Sequence, residues 1–238
     1  MKYLRKILLS ASLFGAVCAY AGEYSALKIG IGGVYILQQP SDEKDITNTS
    51  AYLALRSRYS FLQERILLQL EVETNIGKTK RERNKSNSLR MENFLLGAGV
   101  NLLTPNTPLY LSVMYGMDNF EYWASNSWVD NGLMFVGADL QGFIKSNHLT
   151  FEYNVGYHYV LTGYYEQNQN NYVRVDTDSS SYAIKGGIGF VYDITQHIGL
   201  FMNLRAKYYN IAASKFNAIF TRPTTKHFLG GVEVGIKF

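Results

Sequence analysis

Apolar and polar residues alternate with a period of two along most of this chain, which is the signature of strands with two different faces. In 148–161, Leu149, Phe151, Tyr153, Val155, Tyr157, Tyr159 and Leu161 share one parity; His148, Thr150, Glu152, Asn154, Gly156, His158 and Val160 share the other. Ile198, Leu200, Met202, Leu204, Ala206 and Tyr208 repeat the pattern, as do Phe228, Val232, Val234, Ile236 and Phe238. Continued along the chain, it predicts ten strands, near 26–38, 50–61, 64–76, 89–103, 108–118, 129–144, 148–164, 181–193, 198–212 and 226–238. The turn between the second and third has no Gly or Pro and is placed near Phe61-Leu62-Gln63, because one strand over 50–76 would be too long. Long polar connections (39–49, 77–88, 119–128, 165–180, 213–225) alternate with short ones (62–63, 104–107, 145–147, 194–197), so one end of the sheet carries every long connection.

The first 21 residues follow a different rule. Lys2, Arg5 and Lys6 precede an apolar stretch from Ile7 to Val17, and Ala19-Tyr20-Ala21 gives a small-x-small cleavage pattern. This is the layout of a secretory signal peptide cut after Ala21, and the apolar stretch is short of the ~20 residues a spanning helix needs. Val17 before Cys18 makes a poor lipoprotein site. Cleavage removes Cys18, the one cysteine, and lowers Lys plus Arg from 23 to 20 against 19 acids. The net charge of +4 becomes +1, and the basic balance no longer argues for a nucleic-acid partner. At 18% charged and 47% hydrophobic residues, the chain is outside the disordered class.

Alternation alone leaves open whether the apolar face meets a protein core or lipid. Strands of 11 residues or more suit a tilted membrane crossing. Aromatics gather at both ends of the apolar stripes: Tyr59, Phe61, Phe151, Tyr192 and Phe238 at the short-turn end, and Tyr35, Tyr115, Tyr157, Tyr159, Tyr182 and Tyr208 at the other. The last strand ends on Phe238. In these features the sequence resembles the bacterial outer-membrane β-barrel proteins, with girdles of aromatics, short periplasmic turns and longer external loops. The resemblance implies an all-β fold over 22–238, a closed antiparallel up-and-down transmembrane barrel of ten strands, with eight or twelve as alternatives. It also implies a place in the outer membrane of a Gram-negative bacterium, contact with lipid and lipopolysaccharide, and a terminal Phe238 read by the barrel-assembly machinery. A monomer is expected.

Ten strands are expected to enclose little more than a filled or narrow lumen, since about eight leave an interior that side chains fill. The inward parity carries Lys28, Arg56, Arg58, Glu71, Glu73, Asp139, Glu152, Lys185, Arg205, Lys207, Glu233 and Lys237. Arg56 is expected diagonally near Glu71, with Arg205 and Lys207 beside the strand of Glu233. A salt-bridge network filling the barrel is one reading. A charged path for a small solute is the other, with room left by inward Gly30, Gly32, Gly97, Gly99, Gly187, Gly189, Gly231 and Gly235.

Chemistry is sparse. Gly30-Ile-Gly32-Gly33 lies inside a strand and lacks the third glycine of a dinucleotide loop. There is no G-x-S-x-G, no H-E-x-x-H and no His or Cys cluster, so no catalytic residue, metal ligand or cofactor is assigned. In strand number the chain is similar to the omptin proteases, which pair Asp-Asp with Asp-His at the external rim. Asp176-Thr-Asp178 resembles one half of that arrangement, but no Asp-x-His exists, nor the His-x-Ser sought for a lipid A deacylase. The remaining candidate is the basic segment 77–90, where Lys78, Lys80, Arg81, Arg83, Lys85 and Arg90 oppose one acid, Glu82. Such a cluster can clasp phosphates or sulfates, on lipopolysaccharide or on an acidic glycan of a host surface. The function expected is structural or surface-binding and non-enzymatic, with a narrow channel and then a rim hydrolase as alternatives.

Overall fold

The computed structural model describes residues 22–41, 45–76, 89–124, 127–168, 172–177, 180–215, 221–222 and 224–238. The signal-like segment 1–21, with Cys18, lies outside them, as do Asp178 and five cations of the basic segment (Lys78, Lys80, Arg81, Arg83 and Lys85). Thirteen strands occur in order: β1 (Ala26–Pro40), β2 (Ile46–Phe61), β3 (Ile66–Asn75), β4 (Leu89–Asn101), β5 (Leu109–Ala124), β6 (Ser127–Ser146), β7 (Leu149–Asn168), β8 (Tyr172–Asp176), β9 (Tyr182–Asp193), β10 (Gly199–Ile211), β11 (Ser214–Lys215), β12 (Thr221–Arg222) and β13 (Thr225–Lys237). Each long strand pairs antiparallel with its neighbours, and β1 pairs β13 while β6 pairs β7. The sheet therefore closes, with no free edge along its wall. β8 and β9 run along the same strand, β7, and form one stave interrupted at 177–181. With β11 and β12 as a small separate hairpin, the wall is a closed barrel of ten staves.

The alternation sorts outward from inward as the sequence pattern requires. On β5, Leu111, Val113, Tyr115 and Met117 are exposed, while Ser112, Met114 and Asp118 are buried. The same outward parity exposes Ile29 and Ile31 on β1, Leu200, Met202 and Leu204 on β10, and Val232, Val234 and Ile236 on β13. An encircling belt of aliphatic side chains cannot stably face water, so the wall spans a membrane. Tyr35, Tyr115, Tyr157 and Tyr159 are exposed toward one rim, and Tyr192 and Phe238 toward the other. Phe238 closes the seam, its N–H donating to Leu27 O (2.7 Å) and its carbonyl accepting from Leu27 N–H (3.0 Å).

The connections depart from the sequence expectation in two ways. First, 119–128 and 165–180 are not loops through most of their length. β5 and β6 stay paired out to Ala124 and Ser127, with Trp123 opposite Trp128, and β7 and β8 stay paired out to Asn168 and Tyr172. β6 and β7 have 20 residues each. At ~3.3 Å per residue and ~45° tilt they reach well past an apolar band ~25 Å tall, so the wall projects beyond the membrane at the long-connection end. The polar residues there suggested a loop because nothing outside the lipid needs an apolar face.

Second, the turn after β2 spans four residues, Leu62–Arg65, between the paired Phe61 and Ile66. Leu62, Gln63 and Glu64 take φ of 53°, 56° and 62°, the left-handed region that side chains other than Gly rarely adopt. Compared with a two-residue turn at 62–63, this slides β3 by two positions. A slide of two keeps every residue on its face, but it sets Arg56 directly opposite Glu71, not diagonal to it.

Candidate functional site

The lumen concentrates the chemistry of this chain in layers. Along β5 from the short-turn end, the inward residues run Tyr110, Ser112, Met114, Gly116, Asp118, Phe120 and Tyr122; along β10 they run Phe201, Asn203, Arg205, Lys207, Tyr209 and Ile211. Both strands carry their charged residues in the middle, with an aromatic residue on either side. Near the short-turn end Tyr24, Leu67, Tyr110 and Phe143 pack together. At the long-connection end a larger cluster joins Ile36, Tyr52, Met91, Phe120, Tyr122, Leu133, Val160, Tyr209 and Ile211. His227 is fully buried there, edge-on to Phe120, Tyr122 and Tyr209.

Between these layers lie the charges. Arg56 is the hub: its Nε donates to Glu233 Oε1 (2.9 Å), its Nη2 to Glu233 Oε2 (2.6 Å) and to Glu73, and its Nη1 to Glu71. Arg205 pairs with Glu73 and lies 3.6 Å from Glu233. Tyr52 and Asn203 donate to the same two Glu233 oxygens, Oε2 (3.3 Å) and Oε1 (3.4 Å) respectively, and Asn93 to Glu73 (2.9 Å). A second group joins Lys28 and Arg58 to Glu152, each at 2.6 Å. A third joins Lys185 (2.6 Å) and His158 (2.9 Å) to Asp139, with the His158 ring stacked 4.6 Å from Phe135. A fourth joins Lys207 and the Tyr209 hydroxyl to Asp118. Lys237 pairs with Asp193 at the short-turn rim.

Among the described residues, six cations (Lys28, Arg56, Arg58, Lys185, Arg205, Lys207) thus meet six carboxylates (Glu71, Glu73, Asp118, Asp139, Glu152, Glu233). The cavity left among them has a volume of about 140 Å³. Asp118, Asn203 and His158 belong to this layer without having been picked out from the sequence as partners. Their inward parity was the available signal, but parity does not say which charges across the barrel will meet.

The space over four of the inward glycines is filled by neighbouring side chains, while Gly187, Gly189 and Gly231 line the cavity. A Cβ on Gly30 would meet the Phe201 ring at 2.7 Å, and one on Gly235 the same ring at 2.8 Å. The space over Gly32 holds the Tyr52 ring, and that over Gly97 holds Met114. Large side chains on neighbouring strands lie across Gly30, Gly32, Gly97 and Gly235, so at these four positions the missing Cβ atoms make room for protein.

On the projecting wall, Arg90 opens β4 and faces outward. It pairs with Glu92 (2.5 Å) and Glu121 (3.4 Å), so its charge is already engaged. Glu121, Asp130 and Glu166 lie directly across from one another on β5, β6 and β7. Burial, then the nearby Glu121 and Glu166 carboxylates, push Asp130 up to about 6. Asp176 is exposed at the end of β8.

No family model matches the chain, and no curated protein sequence does. Among solved structures, the outer membrane protease OmpT from Escherichia coli superposes with a TM-score of 0.65 at 10% identity, over 90% of this chain and 96% of that one. The attachment invasion locus protein Ail of Yersinia pestis gives 0.41 at 9% identity, over 90% and 99%. OprG from Pseudomonas aeruginosa gives 0.36 at 12% identity, over 92% and 98%. At these identities the likeness concerns architecture, and only the first superposition is close enough to argue from. Closed ten-stave wall, apolar belt and polar lumen agree with it: this chain has the fold of the bacterial outer-membrane β-barrels.

Proposed function

We propose that this chain is a non-conducting outer-membrane barrel that acts through its external surface, its lumen serving as an internal brace. The observation that carries this reading is the content of the lumen: a charge layer of six cations and six carboxylates, roofed by a buried aromatic cluster and floored by another. An ion entering such a layer would have to displace a partner from a buried pair, at a cost of several kcal/mol. In planar bilayers the folded protein is expected to give no conductance steps above background. Defined single-channel steps would overturn the closed-lumen reading and favour the narrow channel.

With the lumen closed, the working surface is the wall that projects beyond the lipid belt, together with the basic segment 77–88 between β3 and β4. The ligand class proposed is anionic: lipopolysaccharide phosphate or an acidic glycan, held by Lys78, Lys80, Arg81, Arg83 and Lys85. Replacing Lys80, Arg81 and Arg83 by Gln should weaken binding to lipopolysaccharide or heparin by about tenfold or more at low salt, given ~1.5–3 kcal/mol per hydrogen bond to a charged group. Surface plasmon resonance on the detergent-folded protein measures this, and unchanged affinity would remove the segment from the proposal.

A rim hydrolase is the second reading, favoured by the superposition on a protease. Against it, both inward histidines are fully buried, His158 beside Asp139 mid-barrel and His227 among the aromatics of the roof. A fluorogenic peptide library incubated with the folded protein decides between them.

A further inference from the structure

The first described residue, Gly22, lies under the short-turn end of the barrel against the β2–β3 turn. Its N–H donates to Ser60 O (2.7 Å). The Glu64 carboxylate and Ser60 hydroxyl crowd against it: a Cβ there would lie 2.0 Å from Glu64 Oε1 and 2.6 Å from Ser60 Oγ. By standard bond geometry the Gly22 nitrogen is about 2.5 Å from that Cβ position, which puts it close to the Glu64 carboxylate.

Glu64 is the odd member of the buried acids. It is 5% exposed and is held on a left-handed backbone by the turn. Its Oε2 accepts from the Tyr110 hydroxyl (2.8 Å), a contact the aromatic floor of the lumen positions. Each buried carboxylate of the lumen has a cationic side chain as partner. Glu64 has none among the described residues. A buried carboxylate without a counter-charge is costly, and a backbone amide at Gly22 supplies no charge.

The missing cation is one bond away. The small-x-small pattern ends at Ala21, and Gly22 begins at the next residue. We propose that the chain is cleaved between Ala21 and Gly22, and that the new Gly22 α-ammonium docks beside Glu64 as its counter-charge, pinning the N-terminus beneath the barrel. Hydrolysis consumes one water: the Ala21 C–N bond breaks, hydroxyl goes to the Ala21 carbonyl carbon, and the Gly22 nitrogen gains that water's hydrogen and a further proton from solvent. The ammonium then has three donors. One retains the Ser60 O bond, and the other two are available to the Glu64 carboxylate. Cleavage, on this account, completes a site that the uncut chain leaves uncompensated. The inference rests on the signal-peptide reading, and the two halves of the test separate them.

The full-length sequence is expressed in a Gram-negative host and the protein isolated from its outer membrane. Intact-mass spectrometry is expected to give a chain beginning at an unmodified Gly22; any other first residue overturns the cleavage site. The docking is tested by acylation of the α-amine at pH 8 with a succinimidyl ester, followed on the N-terminal peptide. At pH 8, close to the ordinary α-amine pKa of ~7.7–8.0, a one-unit rise leaves about fivefold less free amine, so the folded protein should react about fivefold or more slowly than the urea-unfolded one. Equal rates overturn the docking. Glu64→Gln should bring the folded rate back toward the unfolded one, and Glu64→Asp should fall between. A folded Glu64→Gln protein that stays slow would assign the protection to burial and overturn the role of Glu64. Should that variant not fold, the wild-type ratio and Glu64→Asp still decide.

Discussion

Replacing Arg56 by Met should cost the folded barrel about 3–5 kcal/mol, the usual loss when one partner of a buried charge group is removed. The guanidinium is 12% exposed and is the sole hub joining Glu71, Glu73 and Glu233. Without it three carboxylates share one cavity, and Arg205 reaches only Glu73 and Glu233. Arg56→Lys keeps the charge but loses the planar fork that divides its donors among three acids, and should fall between wild type and Met. The measurement is the urea midpoint of the folded form in lipid vesicles, read as the mobility shift between unboiled and boiled samples. The deficit of Arg56→Met should shrink on going from pH 8 to pH 4, because carboxylates that take up protons no longer repel one another. An unchanged midpoint at pH 8 would mean that the lumen network contributes nothing to stability.

Val113→Arg tests the opposite face of the same wall. Val113 is 67% exposed on β5, in an outward row with Ala98 and Ala138, whose small side chains cannot shelter a charge. In a bilayer the substitution should cost ~2–4 kcal/mol if the position lies near the midplane. Were this face wetted, an exposed Val→Arg change would alter stability by no more than about 0.5 kcal/mol. Urea titration in vesicles distinguishes the two outcomes. A neutral Val113→Arg would contradict the membrane assignment directly, whatever the barrel's likeness to other folds.

The candidate site was legible in part. Parity alone put Lys28, Arg56, Arg58, Glu71, Glu73, Asp139, Glu152, Lys185, Arg205, Lys207 and Glu233 on the inward face, and the structure gathers them into the charge layer. What parity could not supply was pairing. Lys207 meets Asp118 from β5, and Lys28 and Arg58 meet Glu152 from β7; these strands lie across the barrel from their partners. Those contacts depend on barrel closure, a long-range property that no local window carries. The basic segment between β3 and β4 remains a reading of sequence, with Arg90 alone placed, and engaged by Glu92 and Glu121.

The bulge in β7 shows the same limit within one strand. Pairing with β6 shifts register between Met134 and Phe135, so that Met134 faces Thr162 while Phe135 faces Val160. An unbroken period of two would turn Tyr165 outward. Past the bulge the parity inverts, and Tyr165 packs against the apolar roof of the lumen while Tyr164 lies over Gly132 outside. One extra residue flips every side chain beyond it.

By itself, then, the sequence determined the fold class, the number of staves and the face each side chain takes below the bulge, because a membrane wall imposes a strict period of two on every crossing. The small-x-small pattern ending at Ala21 is what the proposed cut rests on. The tertiary structure alone decided the register after the four-residue turn, the height of the wall and the identity of the ion pairs. It also decided the filling of the gaps over Gly30, Gly32, Gly97 and Gly235 and the meeting of Gly22 with Glu64. Each of these joins residues far apart in the chain, and only closing the sheet on itself brings them within reach.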